Sequence, residues 1–308
     1  MNWTVIDRLS FVWWNTGLSP PVGKPTATEQ EVDFVVDHIR ALRAGLEFSV
    51  FGLGEVSSEI LASIMAGVGD PSVAVVDTTS RSGRIKFDTA LLYDRTKLEL
   101  ITHFELIECV GKSRLKLGQL FSFTLNDSAR TIVYVITSHW LSRLYVNEFS
   151  SKRRELGMLL RTSIDKLRNE SQRDYIVLMG DYNDDPFSPA LAEHLLATRD
   201  RELARRNSKF FYNPFWRCLG ESLPYKHEGA DESVCGTHFY PNGDHTEWFT
   251  YDQIIFSSAF LDDSGPILLS EECTKIISTP DLLGSLRNRR HFCDHFPVVS
   301  IATVRAQT

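Results

Sequence analysis

The stretch "YIVLMGDYNDDP", residues 175–186, decides how the rest of the chain is read. Its first five residues are apolar and read as a strand. They stop at a glycine, and Asp181, Asn183, Asp184 and Asp185 then follow within five positions. Carboxylates crowded this closely repel one another unless a cation or solvent intervenes. Asp, Asn and Pro all favour turns, so a strand-ending turn is the simplest reading of the segment alone. A calcium loop of the EF-hand kind does not fit. Asp181, Asn183 and Asp185 would match its alternating ligands, but Pro186 stands where the loop needs Gly and Ala192 where it needs Glu.

The same chemistry recurs at other strand ends. Asn15 closes "FVWW", Glu55 follows "FGLG", His139 follows "YVITS", Asp252 opens "QIIFS", and Asp294-His295 precede "FPVVS". Each has a plain alternative: a turn residue, a solvated loop acid, a satisfied core histidine, a strand-edge acid or chance adjacency. Together they form one pattern, polar residues held in place by rigid strands. Asn, Glu and Asp offer oxygen ligands to a hard cation, and magnesium takes only one or two protein carboxylates. Histidines supply charge or protons to a phosphate, and an Asp beside a His fixes its tautomer. The set suits metal-assisted attack of water on a phosphoester. Glu59, one helical turn beyond Glu55, is assigned to the surface.

Working outward, residues 28–45 predict a helix, with Thr28 and Glu31 in capping-box spacing, one apolar face, and Gly45 at its end. A second helix is predicted in "SSEILASIMAG", a third across 150–171, and a short one in "SPALAEHLLA". Strands dominate the middle. Residues 86–94 and 98–107 read as a hairpin about "RTK", and 119–125 with 130–140 as another. Residues 205–245 read as irregular. There is no regular strand–helix alternation. The expected fold is α+β: a four-layer α/β/β/α sandwich of two mainly antiparallel sheets flanked by helices, with residues 1–308 as a single domain.

The 308 residues, 43% of them hydrophobic, suffice for a sizeable core. No run approaches the roughly 20 apolar residues of a membrane span, and the N-terminus does not read as a signal peptide. Five cysteines without CxxC spacing are expected as reduced thiols of a cytoplasmic protein, with no structural zinc. The net charge of −7 disfavours a general polyanion binder. Basic clusters at 151–161 and 199–209 read as solvated faces. The third, "SLRNRRHF" (285–292), runs directly into "CDHFPV".

Seven stretches, "WWNTG", "GLGEV", "ALLYDRTKL", "ITSHW", "VLMGDYNDDP", "TYDQIIFS" and "CDHFPV", span residues 11–299. In this order they resemble the endonuclease/exonuclease/phosphatase superfamily, above all pancreatic-type deoxyribonuclease and abasic-site endonuclease. The section with "FYNPFWRCLGE" and "CGTHFY" is similar to a bacterial branch. The resemblance implies that Asn15, Glu55 and Asp294 bind or position Mg2+, with Mn2+ as a substitute. It implies that Asp181 orients or deprotonates the attacking water and that Asn183 hydrogen-bonds the phosphate. His295, oriented by Asp252, and His139 would face the phosphate. Nuclease members with two histidines pair the counterpart of His139 with a Glu, which is not placed in this sequence. Cys293 stands where the family has Ser.

The expected activity is a metal-dependent nuclease on DNA, with Arg287, Arg289 and Arg290 contacting backbone phosphates. The alternatives are a phosphatase or phosphodiesterase for a small or lipid substrate, and a non-catalytic scaffold of the same fold. No membrane is expected, and a protein partner is left open.

Overall fold

The structure is a computed structural model and describes residues 3–20, 27–82, 85–111, 113–126, 129–168, 175–223, 227, 233–288 and 292–307. The chain runs β1 (Trp3–Asn15), α1 (Glu29–Leu46), β2 (Val50–Gly54), α2 (Ser58–Val68), β3 (Val73–Asp77), β4 (Ser80–Ser82), β5 (Ile85–Phe87) and β6 (Thr89–Asp94). It continues through β7 (Leu98–Val110), β8 (Ser113–Leu125), β9 (Ile132–His139), α3 (Ser151–Arg168), β10 (Tyr175–Asp181), β11 (Ala197–Thr198), α4 (Arg201–Arg206) and β12 (Phe211–Tyr212). The last part holds β13 (His238–Phe239), β14 (Trp248–Phe249), β15 (Asp252–Ser257), β16 (Ile267–Ile276), α5 (Pro280–Arg287) and β17 (Val298–Gln307).

Among the described residues, one large sheet orders its strands β16-β17-β1-β2-β6-β3 and the other β11-β12-β15-β10-β9-β8-β7. Period-two alternation sorts their side chains into layers. Phe11, Trp13 and Val50 of the first sheet meet Val177, Met179 and Ile254 of the second in the core between the sheets. Val12, Trp14, Phe51 and Leu53 point the other way, under Val35, Ile39, Ile60 and Ile64 of α1 and α2. Ile176 and Leu178 lie under Leu156, Leu160 and Ile164 of α3. Each such buried Leu, Ile or Phe contributes roughly 1.5–3 kcal/mol, so the alternation enforces the α/β/β/α order. No described helix is long and apolar enough to cross a membrane, and all five cysteines are free thiols.

Close packing requires glycine at Gly52, between the sheets, and at Gly180, between the paired strands β9 and β10. A Cβ on Gly52 would lie 2.6 Å from the Trp13 ring and 2.7 Å from the Met179 methyl. A Cβ on Gly180 would lie 2.0 Å from the Ser138 carbonyl oxygen, a backbone atom with nowhere to go. Gly180→Ala is therefore expected to destabilise the fold by about 3 kcal/mol, measured by chemical denaturation.

The structure corrects parts of the local reading. The hairpin of 86–94 with 98–107 does not form. β6, buried along almost its whole length, pairs with β2 and β3, whereas β7 pairs with β8 in the other sheet. The "RTK" turn is a corner between sheets, held by Asp94, which accepts from the Thr96 amide at 2.8 Å and pairs with Arg43 at 2.8 Å. The hairpin of β8 with β9 does form. Helix α1 keeps its capping box but continues through Gly45, and Glu47 takes the left-handed C-cap with φ 46°. Within 205–245 the chain forms β12, a 3₁₀ turn and β13.

Candidate active site

Strand directions bring the predicted residues to one edge. β1 and β2 are parallel, so Asn15 and Glu55 leave the first sheet at the same end, with Asn15 opposite Gly54. β9 and β10 are parallel in the second sheet, and His139, Asp181 and Asp252 stand side by side across β9, β10 and β15. β6, β15 and β17 run antiparallel to their neighbours and start at that edge, which adds Asp88, Asp252 and Asp294-His295. The consecutive tryptophans serve both faces. The buried Trp13 donates its indole N–H to Asp252 Oδ1 at 2.9 Å, across the sheet interface. Trp14 donates to the His295 carbonyl at 3.0 Å, and the Cys293 thiol reaches the same carbonyl at 3.2 Å.

Two buried histidines face one carboxylate. His295 Nδ1 lies 2.7 Å from Asp252 Oδ2, and His139 Nδ1 lies 3.1 Å from Asp88 Oδ2. Their Nε2 atoms each lie 3.8 Å from Asp181 Oδ2. Burial alone would favour neutral rings. The negative charges of Asp252 and Asp181 outweigh it and raise His295 to about 10, and those of Asp88 and Asp181 raise His139 to about 9. Burial likewise pushes Asp181 up, but His295 and His139 overcome this and hold its carboxyl below the ordinary value. Asp88 is held well below the usual carboxylate range by His139 and by Lys116, 2.9 Å away, against its burial.

Asn15 turns its NH2 group to the acids, 3.0 Å from Asp181 and 3.4 Å from Glu55, while its oxygen accepts from the Gly17 amide at 3.2 Å. Burial, reinforced by Asp294 and Asp88, raises Glu55 above the ordinary value despite the nearby histidines. Five carboxyl groups, Glu55, Asp88, Asp181, Asp252 and Asp294, thus crowd around two imidazoles and Lys116. Ligand atoms of Asp294, His295 and His238 lie within 4.8 Å of one another, as do those of Asp181, Asp252 and His295. The carboxylates of Glu55 and of the half-exposed Asp294 are oxygen donors of the kind a hard divalent cation takes.

The sequence signature of the Endonuclease/Exonuclease/phosphatase family matches residues 72–285. The chain belongs to this family. No curated protein matches it in sequence. Among solved structures, the human Nocturnin catalytic domain with bound sulfate anion is similar at 12% identity and a TM-score of 0.62, covering 98% of this chain and 97% of that one. TDP2 of D. rerio, complexed with single strand DNA product, is similar at 14% identity and a TM-score of 0.58, covering 96% and 99%. The mannosyl-6-phosphatase of Bacteroides thetaiotaomicron VPI-5482 is similar at 15% identity and a TM-score of 0.57, covering 96% and 99%. At these identities the likeness is one of fold.

Within this family member, Asn183 and Glu55 both take left-handed backbone conformations, φ 51° and 54°, a strain that is tolerated where it positions a side chain. Asn183 donates its side-chain amide to the Trp140 carbonyl at 3.2 Å, and its backbone N–H to Asp181 Oδ1 at 2.8 Å. The neighbouring Asp184 is not loop surface. Asp184 is buried and pairs with the equally buried Arg153 at 3.0 Å and with Arg143 at 3.1 Å. Arg153 thus departs from the solvated face expected of its basic cluster. Arg287 donates to the Ser233 carbonyl at 3.2 Å; Arg289 and Arg290 lie outside the described residues.

Two neighbours escaped the sequence reading. Asp88 is the carboxylate that His139 Nδ1 meets, the partner that the sequence left unplaced. His238 packs at a tilt of 35° against His295 with ring centroids 4.2 Å apart, and its Nδ1 lies 3.0 Å from the Asp294 carbonyl oxygen. Burial, with the His295 charge beside it, lowers His238 to about 4, so it sits neutral against a cation. An acid flanked by Phe87 and "TALL" was the available signal for Asp88, because a charge in an apolar run needs a partner.

The raised histidines set a pH dependence. A folded pKa above the unfolded value of about 6.5 gives stability that is complete below 6.5 and lost as pH rises through 9 to 10. In chelator, the unfolding free energy is expected to fall between pH 7 and pH 10, and the fall should shrink in the His139→Gln/His295→Gln variant. Denaturant titrations across that range measure it.

Proposed function

We propose that the protein is a divalent-metal-dependent phosphoester hydrolase, with residues 1–308 as one catalytic domain, and that it is a nuclease cutting DNA phosphodiesters with water. The observation that carries this reading is the pair of carboxylate-braced imidazoles, His139 and His295, converging on Asp181. A phosphoryl group between them would meet two positive N–H donors that gain strength as charge develops on its oxygens. Asp181, held ionised, would accept a hydrogen bond from the attacking water, and Asn183 would bond a phosphoryl oxygen. Mg2+, with Mn2+ as substitute, would polarise the phosphoryl oxygen when held by Glu55 and Asp294 near Asn15.

The basic run from Arg287 to Arg290 supports an anionic polymer as substrate, as does the DNA product bound by TDP2. The net charge of −7 and the likeness to a sugar phosphatase favour a small phosphoester as the second reading. A phosphoester panel with Mg2+ or Mn2+, run beside Asp181→Ala, separates them. Metal-dependent cleavage of DNA, absent in the variant and in chelator, is the expected result. Release of phosphate from small substrates alone selects the second reading, and turnover of neither leaves a non-catalytic member of the fold.

A further inference from the structure

The loop after His139 is fastened to the turn after Asp181. Arg143 joins them: its Nε donates to the Asn183 carbonyl at 2.9 Å, and its terminal nitrogens donate to Glu148 at 2.8 Å, Asp184 at 3.1 Å and Ser188 at 3.2 Å. Ser188 Oγ in turn donates to Glu148 at 3.2 Å. Phe149 and Phe187, the residues next to Glu148 and Ser188, flank this joint.

Large apolar side chains on the joined loops face solvent: Leu144 is 71% exposed, Tyr145 69%, Phe149 67% and Phe187 48%. Closing a strand requires none of them, and together they offer apolar surface to a ligand on the two loops that Arg143 joins. Three are aromatic, and cations stand beside them. The Arg199 guanidinium lies 5.2 Å from the centroid of the Phe187 ring. Lys152 and Arg154 are exposed at the start of α3, with Arg154 donating to the Phe149 carbonyl at 2.9 Å. Exposed rings with cations on the same loops and helix start suit an anionic strand with unpaired bases, because every base offers a face to stack. In a duplex those faces are already stacked on one another.

We propose that this rim binds the unpaired bases of a single-stranded nucleic acid, seating the strand with a phosphate between His139 and His295. The inference rests on the hydrolase reading above and sharpens its substrate.

The test compares four end-labelled probes by fluorescence anisotropy, in chelator: a single-stranded oligonucleotide, an abasic strand of equal length, a duplex, and phosphatidylcholine–phosphatidylserine vesicles. The base-bearing strand is expected to bind at least about tenfold tighter than the other three. Tyr145→Ala/Phe149→Ala should erase that margin with the thermal midpoint unchanged, since both side chains are exposed. Equal binding of base-bearing and abasic strands, a variant of wild-type affinity, or preference for vesicles overturns the proposal. Adding Mg2+ separates this outcome from the fate of the hydrolase reading. Cleavage of both strands with one KM overturns the rim alone. Base-dependent binding without hydrolysis of any phosphoester supports the rim and overturns the hydrolase reading.

Discussion

Asp181→Asn is expected to lower kcat/KM about 10³-fold on whichever phosphoester the panel selects, with the protein still folded. Asp181 Oδ2 is where the site converges: Asn15 donates to it, and both histidine Nε2 atoms face it at 3.8 Å. A carboxylate held below its ordinary pKa is a weak proton acceptor in the ground state but a strong hydrogen-bond acceptor. In the proposed mechanism its main service would then be to orient the water, taking the proton only as the bond to phosphorus forms. An amide of equal size keeps the packing and loses that acceptor, and its NH2 group would face three donors. The substitution also removes a negative charge that raises both imidazoles. The pKa values of His139 and His295, followed by NMR titration, should therefore move down in Asp181→Asn. A variant with lost activity and unmoved histidine titrations would rule out this account of Asp181 while leaving its importance intact.

The edge residues were legible because each interrupts an apolar run at a strand end. Asn15 after "FVWW", Asp181 after "YIVLMG" and Asp252 before "QIIFS" carry polar groups where the strand pattern stops, and the sheet register does place His139, Asp181 and Asp252 in one row. The layer order was legible for the same reason, because period two sorts Trp13 and Trp14 to opposite faces. Pairing over long separations left no periodic trace. Asp88 lies 51 residues before His139, inside a stretch that reads as one continuous strand. Arg153 and Asp184 bury each other from 31 residues apart, and alone each looks like a surface charge. The false hairpin has the same origin: a tight turn fixes that the chain reverses, not that the flanking strands share a sheet.

Asp252→Asn is expected to lower kcat about 10²–10³-fold, with KM for an anionic substrate raised, through a change of charge and almost none of shape. As it stands, Asp252 uses one oxygen for the Trp13 indole at 2.9 Å and the other for His295 Nδ1 at 2.7 Å. Asparagine reproduces the first bond with its oxygen and offers an NH2 donor to the second position. A donor there requires an unprotonated Nδ1, so the ring becomes neutral with its proton on Nε2. The site keeps an N–H directed at the phosphate but loses the cation behind it. The result should differ from His295→Ala, which removes the donor as well and should cost more. It should also differ in pH profile: the alkaline limb attributable to His295, near 10 in the native protein, should move to lower pH in Asp252→Asn. Asp88→Asn is expected to act in the same direction on His139 but less severely, because Lys116 at 2.9 Å already takes part of the Asp88 charge. If Asp252→Asn and His295→Ala show equal losses and the same pH profile, Asp252 does no more than hold the ring in place.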